Sequence, residues 1–169
     1  MNKWVLKTGI LSCQFIEKIG KDIDLVFIDT IHLTPGEMLD WLMVLPFLKE
    51  EAIVVFHDTF WMFHRSKKYK INYSNNQLLC YIRGELILPN KGHKFMSKRN
   101  IAALKLSRGQ KKYYKQYFLA LGNLWEYIPD DNDLKIMRQF FNKYYGKKLV
   151  EIFDDAVESN KRINLLKHE

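Results

Sequence analysis

Two short apolar runs, each closed by an acid, constrain this 169-residue chain more than any other feature. The first is Asp24-Leu-Val-Phe-Ile-Asp29. The second is Ala52-Ile-Val-Val-Phe56, which runs into His57 and Asp58. Unbroken apolar runs of this length read as strands buried on both faces, as in parallel sheets. Between them, Thr34-Pro35-Gly36-Glu37 gives a helix start, with Thr34 as N-cap, Pro35 in the first helical position and Glu37 completing a capping box. Met38, Leu42 and Leu45 then line one face, Trp41 and Leu48 flank it, and Pro46 lies near the end. Strand, helix and strand over residues 24–58 match one βαβ unit, with parallel strands and a right-handed crossover.

The flanking segments follow the same logic. Val5 and Leu6 read as a short strand turning at Thr8-Gly9. Leu11, Phe15, Ile16 and Ile19 have helical spacing, and Gly20 sits where helices end. Residues 60–74 read as a loop or a short helix, and residues 75–83 as a helix. Residues 84–89 and 100–106 are candidate strands joined by a basic loop. From about Gln110 the chain reads as helical, with Tyr113, Tyr117, Leu121 and Leu124 on one stripe. Asp133 is a candidate cap for a helix reaching Tyr145, and residues 149–166 form another. The expected architecture is α/β: a Rossmann-like, mainly parallel sheet over residues 1–109, with a helical extension, 110–169, packed on it.

Apolar residues make up 47% of the chain and aromatics 14%, a globular composition. Cys13 and Cys80 both lie in apolar stretches without a CxxC spacing, so both read as buried thiols in a reducing compartment. No signal-peptide pattern opens the chain and no apolar run approaches a bilayer span, so the expected location is cytoplasmic. The net charge of +8 is concentrated in residues 60–115, which carry fourteen Lys/Arg against one acid, Glu85. Trp61, Phe63, Tyr69, Tyr73, Tyr81 and Phe95 interleave those cations. Such a surface suits polyanions, but no nucleic-acid motif accompanies it. A solvated basic face comes first among its readings. An anionic substrate, such as a nucleotide-sugar or a lipid-phosphate glycan, comes next, ahead of nucleic acid or an anionic membrane surface.

Ligands of open parallel sheets bind beyond the carboxyl ends of the strands. Asp29 with His32, and His57 with Asp58, stand at two such ends. Asp29 and Asp58 suit a hard divalent cation such as Mg²⁺. An imidazole at His32 suits general-base work on a hydroxyl acidified by that cation. Each also has a plainer structural use, since a strand-end Asp can cap a turn and a His can serve as a hydrogen-bonded structural residue.

The segment from Asp22 to Thr59 resembles the fourth strand, following helix and fifth strand of a class I S-adenosylmethionine (SAM)-dependent methyltransferase. Lys49-Glu50-Glu51-Ala52 stands where that family usually has paired glycines. The closer resemblance is to metal-dependent sugar O-methyltransferases of the macrocin type and their relatives from surface-polysaccharide clusters. There an Asp-x-x-His follows the fourth strand and an acidic pair ends the fifth. Asp29 and His32 match the first element, Asp58 matches one acid of the pair, and His57 takes the place of the other. The resemblance implies His32 as base, Asp29, Asp58 and His57 around Mg²⁺, SAM as methyl donor, and a sugar or glycan hydroxyl as acceptor. The family's Gly-rich SAM loop has no counterpart, because no two of the eight glycines lie close together. The resemblance therefore extends to the C-terminal half of such an enzyme and implies that the SAM-binding half is missing. An exposed strand edge at Asp24–Asp29 then favours a homodimer, or pairing with the missing half. The alternative is a non-catalytic interaction or polyanion-binding protein that keeps part of the fold.

Overall fold

The structure is a computed structural model that describes residues 5–59, 74–89 and 100–166. Helix α1 (Ser12–Ile19) is followed by strand β1 (Ile23–Ile28), helix α2 (Gly36–Val44) and strand β2 (Leu48–His57). Helix α3 (Ser74–Tyr81) leads to strands β3 (Gly84–Ile87) and β4 (Ile101–Leu106). Helices α4 (Tyr114–Leu119), α5 (Asp131–Tyr145) and α6 (Lys147–Leu166) complete the chain. The sheet order is β1-β2-β4-β3. β1 and β2 are parallel, and β4 runs antiparallel to both of its neighbours. The α/β class and helical C-terminal region hold; the sheet itself is mixed, with one parallel pair and two antiparallel ones.

Strand alternation sorts the sheet into two faces. Ala52, Val54 and Phe56 of β2, with Ala102, Leu104 and Leu106 of β4, point inward and are buried. Over them lie α2, whose Met38, Leu39, Trp41, Leu42 and Met43 are all buried, and the C-terminal helices, which contribute Tyr117, Phe118, Phe141 and Phe153. α2 is covered nearly all round because it touches α1, α3 and α5 as well as β1. Each large apolar side chain so buried contributes about 1.5–3 kcal/mol. Rings from the two parts of the chain interlock: Phe47 stacks on Phe140 at 6.2 Å, and Trp41 meets Tyr117 edge-on at 5.9 Å. Among the described residues, no helix is long and apolar enough to cross a membrane.

Several expectations give way. Residues 5–8 are not a strand. β1 is buried on one face only, because among the described residues no layer covers its outward side chains; Leu25 is 60% and Phe27 55% exposed. The Thr34–Glu37 capping box does not form. Thr34 Oγ1 instead donates to Leu124 O at 2.9 Å, and Glu37 turns to His32. α5 is capped one turn early, by Asp130, whose carboxylate accepts from the Asp133 amide at 2.8 Å. The helical stripe after Gln110 breaks at Gly122, which leaves Leu124 exposed. Cys13 is buried, whereas Cys80 is exposed. The reading of residues 60–74 falls almost entirely outside the described residues, as does most of the basic loop joining β3 to β4.

Candidate active site

β1 and β2 are in register through Ile28↔Phe56, so Asp29 and His57 leave the sheet side by side. The chain after β1 is held by the C-terminal region. Thr34 N–H donates to Glu126 Oε2 at 3.0 Å, and Glu126 N–H donates back to Thr34 O at 2.8 Å. This clamp fixes the turn carrying His32, whose backbone is left-handed with φ 54°. Asp58 is left-handed too, with φ 54°. Neither is glycine, so surrounding contacts hold both in a conformation that side chains ordinarily avoid. For Asp58 the anchor is Asn100 at the start of β4, whose Nδ2 donates to Asp58 Oδ1.

The four residues singled out in the sequence come together. Asp29, His32, His57 and Asp58 each offer one ligand atom, and those atoms all lie within 4.8 Å of one another. His32 Nε2 is 3.2 Å from Asp29 Oδ1 and 3.1 Å from Asp58 Oδ2. His57 Nδ1 is 3.4 Å from Asp29 Oδ1 and 3.3 Å from Asp58 Oδ1. Asp58 and His32 are mostly buried, while Asp29 and His57 face outward. His57 stands on the outer face of the sheet beside Phe27, with ring centroids 6.3 Å apart.

Glu37 is the residue that sequence reasoning misassigned. It is fully buried near the start of α2, and its Oε1 sits 2.7 Å from His32 Nδ1. Its Oε2 has no hydrogen-bond partner. Burial pushes this carboxyl above its ordinary value, opposed by a backbone hydrogen bond and by His32. When Nδ1–H of His32 donates to Glu37, Nε2 is the nitrogen left facing Asp29 and Asp58 and the one able to take a proton there. The available signal was an acid in the first turn of a mostly apolar helix, five residues after a histidine. Asn100 left no such signal, because only sheet pairing brings it to Asp58.

The cleft thus gathers two carboxylates and two imidazoles with few donors among them. Such a set suits a divalent cation, and the residues present could hold one: Asp29, Asp58 and His57 each bring a ligand atom within 4.8 Å of the others, and the Asn100 amide orients Asp58. Residues 6–59 match the model of a family described as a methyltransferase domain. That span runs from before α1 to just past β2 and includes all four residues of the cleft. It supports a methyltransferase domain in this segment, and with it methyl transfer as the general chemistry and SAM as the general cofactor. No curated protein and no solved structure matches the chain.

Proposed function

We propose that this chain carries the acceptor side of a SAM-dependent O-methyltransferase acting on a sugar or glycan hydroxyl in surface-polysaccharide synthesis in the cytoplasm. The observation that carries the reading is the convergence of Asp29, His32, His57 and Asp58 at adjacent strand ends, inside the segment similar to a methyltransferase domain. His32 is the base: Nε2 takes the hydroxyl proton while Glu37 holds the ring through Nδ1. Asp29, Asp58 and His57 would hold a divalent cation, and such an ion, when bound, would make an acceptor hydroxyl more acidic. The basic stretch 60–115 favours an anionic acceptor, such as a nucleotide-sugar.

SAM itself does not fit the residues of this chain. No two of its glycines stand close enough together to form the loop that cradles the cofactor. The Gly-rich turn would have to come from residues other than these, on this polypeptide or on another. Supporting this is the apolar outer face, where Leu25, Phe27, Ile53 and Ile101 are exposed and which continues into the cleft at His57. The same open face favours the second reading, a non-catalytic interaction protein.

Calorimetric titration of the folded chain with SAM, with and without a divalent cation, separates the readings. Absence of SAM binding by the chain alone, with binding and methyl transfer restored by a Gly-rich partner, supports the proposal. In that complex His32→Ala lowers turnover about 10²–10⁴-fold and spares SAM affinity. Unchanged turnover removes His32 from its role, and methyl transfer that no partner restores favours the non-catalytic reading.

A further inference from the structure

We infer that the Asp29–His57–Asp58 cluster selects a borderline transition-metal ion, of the Co²⁺ or Zn²⁺ kind, over Mg²⁺, and that His57 sets this preference. The inference rests on the reading of Asp29, His57 and Asp58 as a metal centre.

Mg²⁺ takes oxygen ligands in a nearly ideal octahedron and gives up its waters reluctantly. Imidazole nitrogen is a poor exchange for those waters, whereas it suits zinc, iron, nickel and copper, and cobalt lies among them in the affinity order. Two of the three proposed ligands are carboxylates, and the third is the Nδ1 of His57. This nitrogen is not incidental to the cluster. It lies 3.4 Å from Asp29 Oδ1 and 3.3 Å from Asp58 Oδ1. Donors about 2.1 Å from one ion lie about 3.0 Å apart at a right angle and about 3.4 Å apart at the tetrahedral angle. The observed spacings fit a nitrogen and an oxygen sharing one ion without rearrangement of the strands.

The surroundings hold the set in place. His57 ends β2, its backbone paired with Ile101 of β4, and its ring packs beside Phe27. Asp58 is tied to Asn100. Ligands anchored on rigid strand ends discriminate between ions better than ligands on loops, because the site cannot relax toward the geometry of the wrong ion.

The test is calorimetric titration of the metal-stripped, full-length chain with Mg²⁺, Mn²⁺, Co²⁺ and Zn²⁺ at one pH and ionic strength. The expected result is binding that rises from Mg²⁺ through Mn²⁺ to Co²⁺ and Zn²⁺, with Co²⁺ at least about tenfold tighter than Mg²⁺. His57→Asp replaces the nitrogen with a third hard oxygen, and the gap between Co²⁺ and Mg²⁺ then narrows about tenfold. His57→Asn, which puts an amide oxygen near the position of Nδ1, gives the same direction of change should the Asp variant fail to fold. If Mg²⁺ matches Co²⁺ in the wild-type chain, the selectivity is overturned while the metal centre stands. If the folded chain binds none of the four ions, the metal centre falls and this inference with it. A preference that both variants leave unchanged removes His57 as its source.

Discussion

On the inner face of the sheet, Val54, Phe56 and Leu104 are sealed beneath α2 and the C-terminal helices; on the outer face, their neighbours Ile53, Phe27 and Ile101 lie open. Both faces come from the same strands and carry much the same chemistry. The inner face found its partner within the chain, because residues 114–166 supply an apolar layer of their own: Phe118, Phe141 and Phe153 interlock edge to face at 5.2–5.4 Å. Among the described residues nothing plays that part for the outer face, and the cleft opens beside it. The difference teaches that the packing that stabilises the chain and the cluster proposed to act on substrate use the two sides of one sheet differently. The inner side makes the strands rigid, and the rigid strand ends hold His32, His57 and the two carboxylates in place.

Breaking the inner side has the largest expected effect. Phe141 is fully buried, so Phe141→Ala leaves a cavity among Phe118, Tyr145 and Phe153 and costs about 3–5 kcal/mol in urea unfolding. A loss below about 1 kcal/mol would mean that the C-terminal helices are not what stabilises this face. A smaller effect is expected at Asn160, a buried polar side chain that splices α6 to the turn before α5. Its Oδ1 accepts from the Trp125 amide at 2.7 Å, and its Nδ2 donates to Ala156 O at 3.0 Å. Asn160→Ala strands the Trp125 N–H away from water and costs about 1–3 kcal/mol. Trp125 adjoins Glu126, which clamps Thr34 beside the cleft, so the same variant loosens the turn that carries His32. Faster amide exchange at residues 31–34 would register that link, and unchanged exchange would break it.

How far the sequence foretold all this depended on where the information lay. Apolar runs and helix spacing are local properties, and they marked β1, α2, β2, β3, β4, α5 and α6. Asp29, His32, His57 and Asp58 were legible because each adjoins a strand end, and a parallel pair brings such ends together without further information. What failed was long-range. The capping box was a sound local pattern, yet Thr34 found Leu124 and Glu126, and Glu37 found His32. Spacing along the chain cannot show a competing partner that arrives from another element. The expectation that β1 is covered on both faces failed for the opposite reason: its residues ask for a layer on each side, and the described chain supplies one.

The outer face offers the smallest effect on stability and the sharpest test of the contrast. Phe27 and Leu25 point away from the core, so replacing Phe27 with threonine, a good strand former, removes little packing within the chain. Phe27→Thr is expected to shift the unfolding free energy of the dilute chain by no more than about 0.5 kcal/mol. A loss of several kcal/mol would mean that the chain covers this face itself, and the contrast between the two sides would collapse. Repeating the unfolding at rising protein concentration then separates the possible occupants. A wild-type midpoint that climbs with concentration, in a chain whose Phe27→Thr variant does not climb, identifies a second copy on the face, because only association makes stability depend on concentration. A midpoint that stays flat in both leaves the face for a different chain. The SAM-binding segment proposed above would meet it there, with His57 at the border of the contact.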